Sequence, residues 1–493
     1  MHPRDQKSPE PSIALAAEAM TMTPLTFAVR RQDPELVGPA GPTPRETKRL
    51  SDIDNQGRRM HDSAAFFYRG GLREGDDPAA VIRRALVEAL VPYYPLAGRL
   101  REVAGMKLVV DCTGEGVLFV EADADVRLAE LEAATGGLRE LLPFREQLLS
   151  DVQGSTGFVN CPLILIQVTR LLCGGFVLAL RADHAMCDAT GIGQFISAVA
   201  ELARGLPSPT VAPAAWSREL LDARSPPRPA LDNGLYHDAV PLITATAPTP
   251  PVAGDDMVSR SFTLTNADVA AIKDGLPPHL REKTTTFEVV AAAIWRSRTV
   301  ALDLIPAGDH MRLGIVANTR RMRELELPAG YYGNACVLAM ATATAGALRD
   351  GTIGDAVELV REAKALVTAE FVRSTADLFA LRGRPNVSPV NLLVVSDCRH
   401  AGFHTVDFGW GQPVYGGPIH KHELVSALLS TVKNGDGEDV MVVPLTLTRP
   451  AMDRFASEIE VLIKRGSHGF KSSDKAFSGG ATITCGRAAI TMP

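Results

Sequence analysis

The chain has little of what marks a secreted, membrane-spanning or nucleic-acid-binding protein. It holds 7 cysteines in 493 residues, an odd number at irregular spacing with no Cys-x-x-Cys pair. That pattern argues against a disulfide framework and for reduced thiols. Basic residues are not in excess: the net charge is −6, so no field directs the surface toward nucleic acid or an anionic membrane. No apolar run reaches the ~18 residues of a spanning helix. The first 22 residues lack the continuous apolar core of a secretory signal, and Met20 and Met22 offer later starts. The final Thr-Met-Pro is not the Ser-Lys-Leu peroxisomal address. A cytoplasmic protein is expected, and Asn386-Val-Ser388 is then a chance match to a glycosylation acceptor. Chemical motifs are missing too. There is no Gly-x-Ser-x-Gly elbow and no phosphate- or dinucleotide-binding glycine loop, which argues against a hydrolase serine or a nucleotide cofactor.

What is present is ordinary globular chemistry: 46% hydrophobic and 22% charged residues, in a chain long enough for two or three cores. Residues 23–56 are proline-rich and irregular, with a short strand expected over Leu25 to Val29. A strand at Phe66 and Phe67 precedes a helix opened by Asp77-Pro78, with its buried stripe at Val81, Ile82, Ala85, Leu86, Ala89 and Leu90. Lys107 to Asp111 and Val117 to Glu121 flank Thr113-Gly114-Glu115-Gly116 and read as a hairpin. Two core strands are expected over Leu163 to Thr169 and Gly175 to Ala182. A helix follows, marked by Ile192, Phe195, Ile196, Val199 and Leu202. Residues 205–255 turn proline-rich and read as a long crossover. Beyond it, strands are expected near Val258 to Leu264, Leu313 to Ala317, Ala335 to Ala339, Leu392 to Ser396 and Val440 to Thr448. Helices are expected from the capping box Thr285-Thr286-Phe287-Glu288, over Asp355 to Glu370, and over Met452 to Ile463. The class is mixed, α+β, in two layered domains. The segments are a disordered leader 1–22, an N-terminal domain 23–204, the crossover 205–255, a C-terminal domain 256–470 and a disordered tail 471–493.

Two stretches stand out as chemistry. His184 follows the apolar run Phe176 to Leu180, with Asp183 before it and Asp188 four residues after it. A histidine at the mouth of a strand can act as a general base, or can be a solvent-facing loop residue. Asp188 can orient the imidazole, hold the loop through an arginine, or simply cap the helix before Gly191. Asp183, one residue off, should face the other side of the strand. The second stretch is Asp407-Phe408-Gly409-Trp410-Gly411, with Gly416-Gly417-Pro418 close behind. Alternating glycines around an aromatic suit a rigid loop, not a helix or plain strand. Cys187 shares the short loop of His184, where thiol and imidazole seldom align for attack. His420-Lys421-His422 lacks a carboxylate or cysteine cluster to complete a metal site, so no metal is expected.

The ordered pair, His184-Ala-Met-Cys-Asp188 and some 220 residues later Asp407-Phe-Gly-Trp-Gly411, resembles the plant BAHD acyl-CoA-dependent acyltransferases of specialised metabolism. Tyr332-Gly333-Asn334 is similar to a third block of that family. Several stretches resemble its benzyl alcohol O-benzoyltransferase-like branch: Leu25 to Arg31, Pro42 to Glu46, Leu50 to Asp54, and Leu108 to Gly116. The resemblance covers roughly residues 23–470. It implies two chloramphenicol-acetyltransferase-like domains joined by the crossover, with the active-site channel between them. Acyl-CoA is the implied co-substrate and a small alcohol the acceptor, with no bound cofactor, in a monomer. His184 is the implied base. Asp188 and Asp407 are the other implied catalytic-motif residues, Asp188 turned toward Arg320 and Asp407 supporting the CoA side with Gly409, Trp410 and Gly411. Thr286 and Ser396 match regions that touch CoA in the family. The chain departs from the wider pattern at Val395-Ser396-Asp397, where Thr-Ser-Trp is common. A condensing enzyme for carrier-bound acyl chains resembles His-His-x-x-x-Asp-Gly instead, and here Asp183 precedes His184 and Ala189 follows Asp188. A non-catalytic binding protein on the same scaffold predicts a lost base, yet His184 is present.

Overall fold

The computed structural model describes residues 25–56, 60–73, 75–138, 144–230, 257–382, 387–419, 425–434 and 437–467. The expected leader, the tail, the His420-Lys421-His422 run and residues 231–255 of the crossover lie outside them. So does Asn386.

One mixed sheet runs through the described residues. Its main path is Val29–Arg31, Val117–Ala124, Ile164–Leu171, Phe176–Asp183, His61–Tyr68, Tyr415–Pro418, Ser426–Lys433, Leu392–Asp397, His310–Asn318 and Cys336–Thr344. Asp439–Thr448 pairs with Ser426–Lys433 and carries Met257–Leu264 on its other edge. Sequence from the two halves of the chain therefore meets inside one sheet, where Tyr415–Pro418 pairs with His61–Tyr68. A second sheet has three strands, Thr47–Arg49, Lys107–Asp111 and Arg99–Val103.

The local signals explain most of these elements. The Asp77 carboxylate accepts from the Ala80 amide, and Pro78 opens the helix Pro78–Ala89 with its missing N–H where no partner is needed. Apolar residues at 192, 195, 196 and 199 put one stripe of the helix Ala189–Ala203 into the core. Thr285 and Glu288 cap the helix Thr286–Ala301 reciprocally.

Three expectations change. The first strand starts at Val29, after residues 25–28 run without regular structure. Lys107–Asp111 and Val117–Ala124 do not form a hairpin. The first belongs to the small sheet and the second to the large one, so the glycine-rich turn transfers the chain between sheets. The helix expected over Asp355 to Glu370 is two helices, Ile353–Ala365 and Ala369–Arg382. The break leaves Leu366 exposed.

The cores follow the sheet rather than the chain order. One cluster around Phe66, Leu86, Phe119, Phe176 and Phe195 is completed by Phe403, Val406, Phe408 and Trp410 from the far half. Another joins Phe67, Val120 and Val177 to Tyr415, Val432 and Val442. A third, around Trp295, Leu313, Val395 and Phe455, is built from C-terminal residues alone.

Candidate active site

The strand Phe176–Asp183 is buried along its whole length and ends at the His184 loop. Its neighbours pair with it on both sides, Ile164–Leu171 and His61–Tyr68. The pairing extends one residue past the strand, because the His184 amide donates to the Met60 carbonyl at 3.0 Å. The imidazole itself is one-third exposed. A buried strand thus delivers a histidine to its mouth with a fixed backbone and an accessible ring.

The loop is held from three directions. Asp183 is 2% exposed and accepts the Ala185 amide at 2.9 Å, so it closes the turn. Asn334 Nδ2 donates to the carbonyls of His184 (2.8 Å) and Ala185 (3.3 Å) and to Asp54 at 2.9 Å. Arg218 donates to the Met186 carbonyl at 2.7 Å and to Asp54 at 2.6 Å, and its guanidinium lies over the rings of Trp216, Tyr331 and Tyr332. Buried charge is tolerated there because the Arg218 guanidinium is paired with the buried Asp54 carboxylate, although its Nε has no hydrogen-bond partner.

Asp188 caps the helix Ala189–Ala203 by accepting from the Gly191 amide at 3.0 Å. Its two oxygens also take a bidentate pair from Arg320, both at 2.8 Å, and Oδ2 accepts the Ala335 amide at 3.1 Å. Burial raises the Asp188 pKa, but the charge and hydrogen bonds of Arg320 outweigh it and hold the carboxyl below the ordinary carboxylate value. A carboxylate so occupied is not free to orient an imidazole. Gly191 sits where no side chain fits, since a Cβ there would lie 2.0 Å from the Tyr332 carbonyl oxygen.

The acidic group beside the imidazole is a different one. Asp62 Oδ2 stands 3.3 Å from His184 Nε2. Burial pushes the imidazole pKa down, but Asp62 foremost, with the residue's own carbonyl, Asp188 and Asp183, raises it above 6.5 overall. Nothing in the reading of single stretches singled out Asp62. The signal lies in sheet pairing, which brings residues more than 100 positions apart into register. Cys187 is buried, and burial pushes its thiol far above the ordinary range, so it stays protonated.

The 407–411 loop lies elsewhere. Asp407 Oδ1 accepts the amides of Gly409 (2.7 Å) and Gly411 (2.9 Å), and both glycines have positive φ, +104° and +85°. The Asp407 carbonyl accepts from Arg204, one residue past the helix Ala189–Ala203. Trp410 is buried against Phe176, with ring centroids 5.1 Å apart, and under the guanidinium of Arg73. Phe176 starts the strand that His184 follows, so the loop and the histidine are separated by its length, roughly 23 Å. Thr286 is half-buried in the first turn of its helix, and Ser396 is half-buried near the end of Leu392–Asp397, 3.9 Å from the Cys398 sulfur.

Among the described residues no group of three or more potential metal ligands occurs. No helix among them is long and apolar enough to cross a membrane, and six of the seven cysteines are free thiols.

Comparison with known proteins places this geometry. A model of the transferase family matches residues 27–462. The chain is 46% identical to a benzyl alcohol O-benzoyltransferase of Petunia hybrida, over 89% of this chain and 95% of that protein. It is 43% identical to alcohol acyltransferase 16 of Actinidia chinensis var. chinensis, over 88% and 94%. Among solved structures, vinorine synthase superposes with a TM-score of 0.68 at 22% identity, covering 88% of this chain and 98% of that one. F. graminearum TRI101, complexed with coenzyme A and T-2 mycotoxin, gives a TM-score of 0.63 at 18% identity, covering 84% and 97%. The fold is thus the mixed, two-domain architecture of those enzymes, and the chain belongs to the BAHD transferase family of acyl-CoA-dependent acyltransferases.

Proposed function

We propose that this chain transfers a benzoyl group from benzoyl-CoA to benzyl alcohol, releasing the ester and free CoA, with His184 as general base. The observation that carries the reading is the partly exposed imidazole of His184 on a backbone fixed by Met60 and Asn334. It is joined by the 46% identity to the Petunia enzyme. The neutral ring takes the proton of the acceptor hydroxyl as that oxygen attacks the thioester carbonyl. The C–O bond forms, the carbon becomes tetrahedral, and its collapse breaks the C–S bond. The departing thiolate recovers the proton from the imidazolium, so the enzyme ends as it began. No acyl-enzyme is needed when both substrates are held together.

In this reading Asp188 braces the His184 loop through Arg320, and Asp407 with Gly409, Trp410 and Gly411 stiffens the far end of the same unit. Thr286 and Ser396 line the CoA side, where a helix N-terminus suits a phosphate. The catalytic channel lies between two domains, and the chain acts as a cytoplasmic monomer. The 43% identity to the Actinidia enzyme favours a second reading, transfer of other acyl groups to other alcohols.

The test is the purified chain with a panel of acyl-CoAs and alcohols or amines, read by mass spectrometry of the product and by thiol release. Benzyl benzoate as the dominant product supports the first reading. A clear preference for another donor or acceptor replaces it with the second. His184→Ala should lower turnover at least about 100-fold with the fold retained, and near-normal turnover would remove His184 as the base.

A further inference from the structure

We infer that Asp62 is the acidic partner of His184, a positioning residue that holds the Nε2 side of the ring and supports its positive charge while it carries the acceptor's proton. The inference rests on His184 being the base.

The sheet dictates the contact. His61–Tyr68 runs antiparallel to Phe176–Asp183, with Asp62 opposite Ala182 and His61 opposite Asp183. Ala182 and His184 are two apart, so they share a face, and Asp62 stands on that face as the diagonal neighbour of His184. His61 points to the other face, where its ring stacks on Phe158 at 4.9 Å. Beyond Ser63 the strand is apolar and buried as far as Tyr68. The one carboxylate of this strand therefore sits at its mouth, about as exposed as the imidazole it faces, 3.3 Å away.

Proton placement gives the pair its meaning. Nε2 faces Asp62 across 3.3 Å. The neutral ring has one protonated nitrogen and one free lone pair. The acceptor's proton arrives at the free ring nitrogen: the O–H bond breaks, the N–H bond forms, and the ring goes from neutral to +1 beside the Asp62 carboxylate. The attraction between Asp62 and the ring grows along the reaction, which is the condition for an interaction to lower the barrier.

The other groups that face the ring are consistent with this. Asp183 and Asp188 add weaker negative fields, and Asp188 is already paired with Arg320. Burial keeps the thiols of Cys187 and Cys398 protonated, and Arg218 is paired with Asp54.

The test reads the ring directly. Two-bond ¹H–¹⁵N NMR follows the titration of the His184 imidazole, identified by the signal lost in His184→Gln. The wild-type midpoint should lie above 6.5, and Asp62→Asn should lower it by about one pH unit. The acid limb of kcat/KM should move down with it. The plateau kcat of Asp62→Asn should fall by about 3- to 10-fold, because a weaker base transfers the proton less well. Asp62→Glu should recover part of both. A wild-type midpoint at or below 6.5, or a midpoint that Asp62→Asn leaves in place, overturns the inference. A merely structural Asp62 would alter melting or KM without moving the limb, and that result also overturns it. The NMR titration needs no substrate. A shifted midpoint in a chain that acylates nothing supports the pairing and defeats only the proposed activity.

Discussion

At the scale of single residues, His184 and Asp188 bind protons with opposite consequences. The folded His184 has a raised pKa, so its contribution to stability is complete below the unfolded value near ~6.5 and is lost as pH rises through the folded one. Activity runs the other way, since a general base works only when neutral: turnover should fall as pH drops through the raised pKa. A pH series of melting curves and initial rates on one preparation should show this part of the stability declining across the interval in which rate rises. Asp188 has a depressed pKa, so its contribution is present above the unfolded value near ~3.9 and is lost only as pH falls through the lower folded one. Removing its side chain leaves Arg320 buried without its anion. Asp188→Ala should therefore cost about 3–5 kcal/mol in denaturant unfolding, with activity falling in step. A variant that melts like wild type would show the pair to be dispensable.

At the scale of elements, strand, loop and helix form one unit with a motif at each end. The helix Ala189–Ala203 spans roughly 22 Å, close to the length of the strand Phe176–Asp183 beside it. His184 and Asp188 occupy the turn between them, while Arg204 and Phe176 at the open end hold the Asp407 loop. Gly409→Ala tests that far end. The substitution demands a left-handed φ and brings a Cβ within 2.9 Å of the Arg73 side chain. It should destabilise by about 1–3 kcal/mol, read by thermal melting, while the chemistry of the imidazole is spared. Such elements were legible where capping and periodicity agree, as at Asp77-Pro78 and Thr285 to Glu288. The false hairpin at 113–116 shows the limit. Turn chemistry predicts that a chain reverses, but which sheet each arm joins is decided by distant partners. The same limit hid Asp62, whose neighbour at 184 is set by strand register rather than by local spacing.

At the scale of the whole molecule, the two halves of the sequence cannot be separated cleanly. Phe403, Val406, Phe408 and Trp410 complete the core that the first 200 residues begin, and Tyr415–Pro418 supplies a strand to the edge of His61–Tyr68. A fragment ending at residue 230 should expose that apolar gap and fail to fold, seen as lost near-ultraviolet circular dichroism and binding of a hydrophobic dye. A fragment with native spectra would mean that its core closes without the far half. The proline-rich stretch suggests two halves, but their interlocking was not readable, because long-range pairing leaves no local trace. The bond from Asn334 to the His184 carbonyl spans 150 residues, so the loop is completed only when both ends of that span are present. While the chain is being synthesised, the histidine emerges well before the asparagine that fixes it. A nascent chain therefore carries the histidine motif before it holds the asparagine that fixes the backbone of that loop.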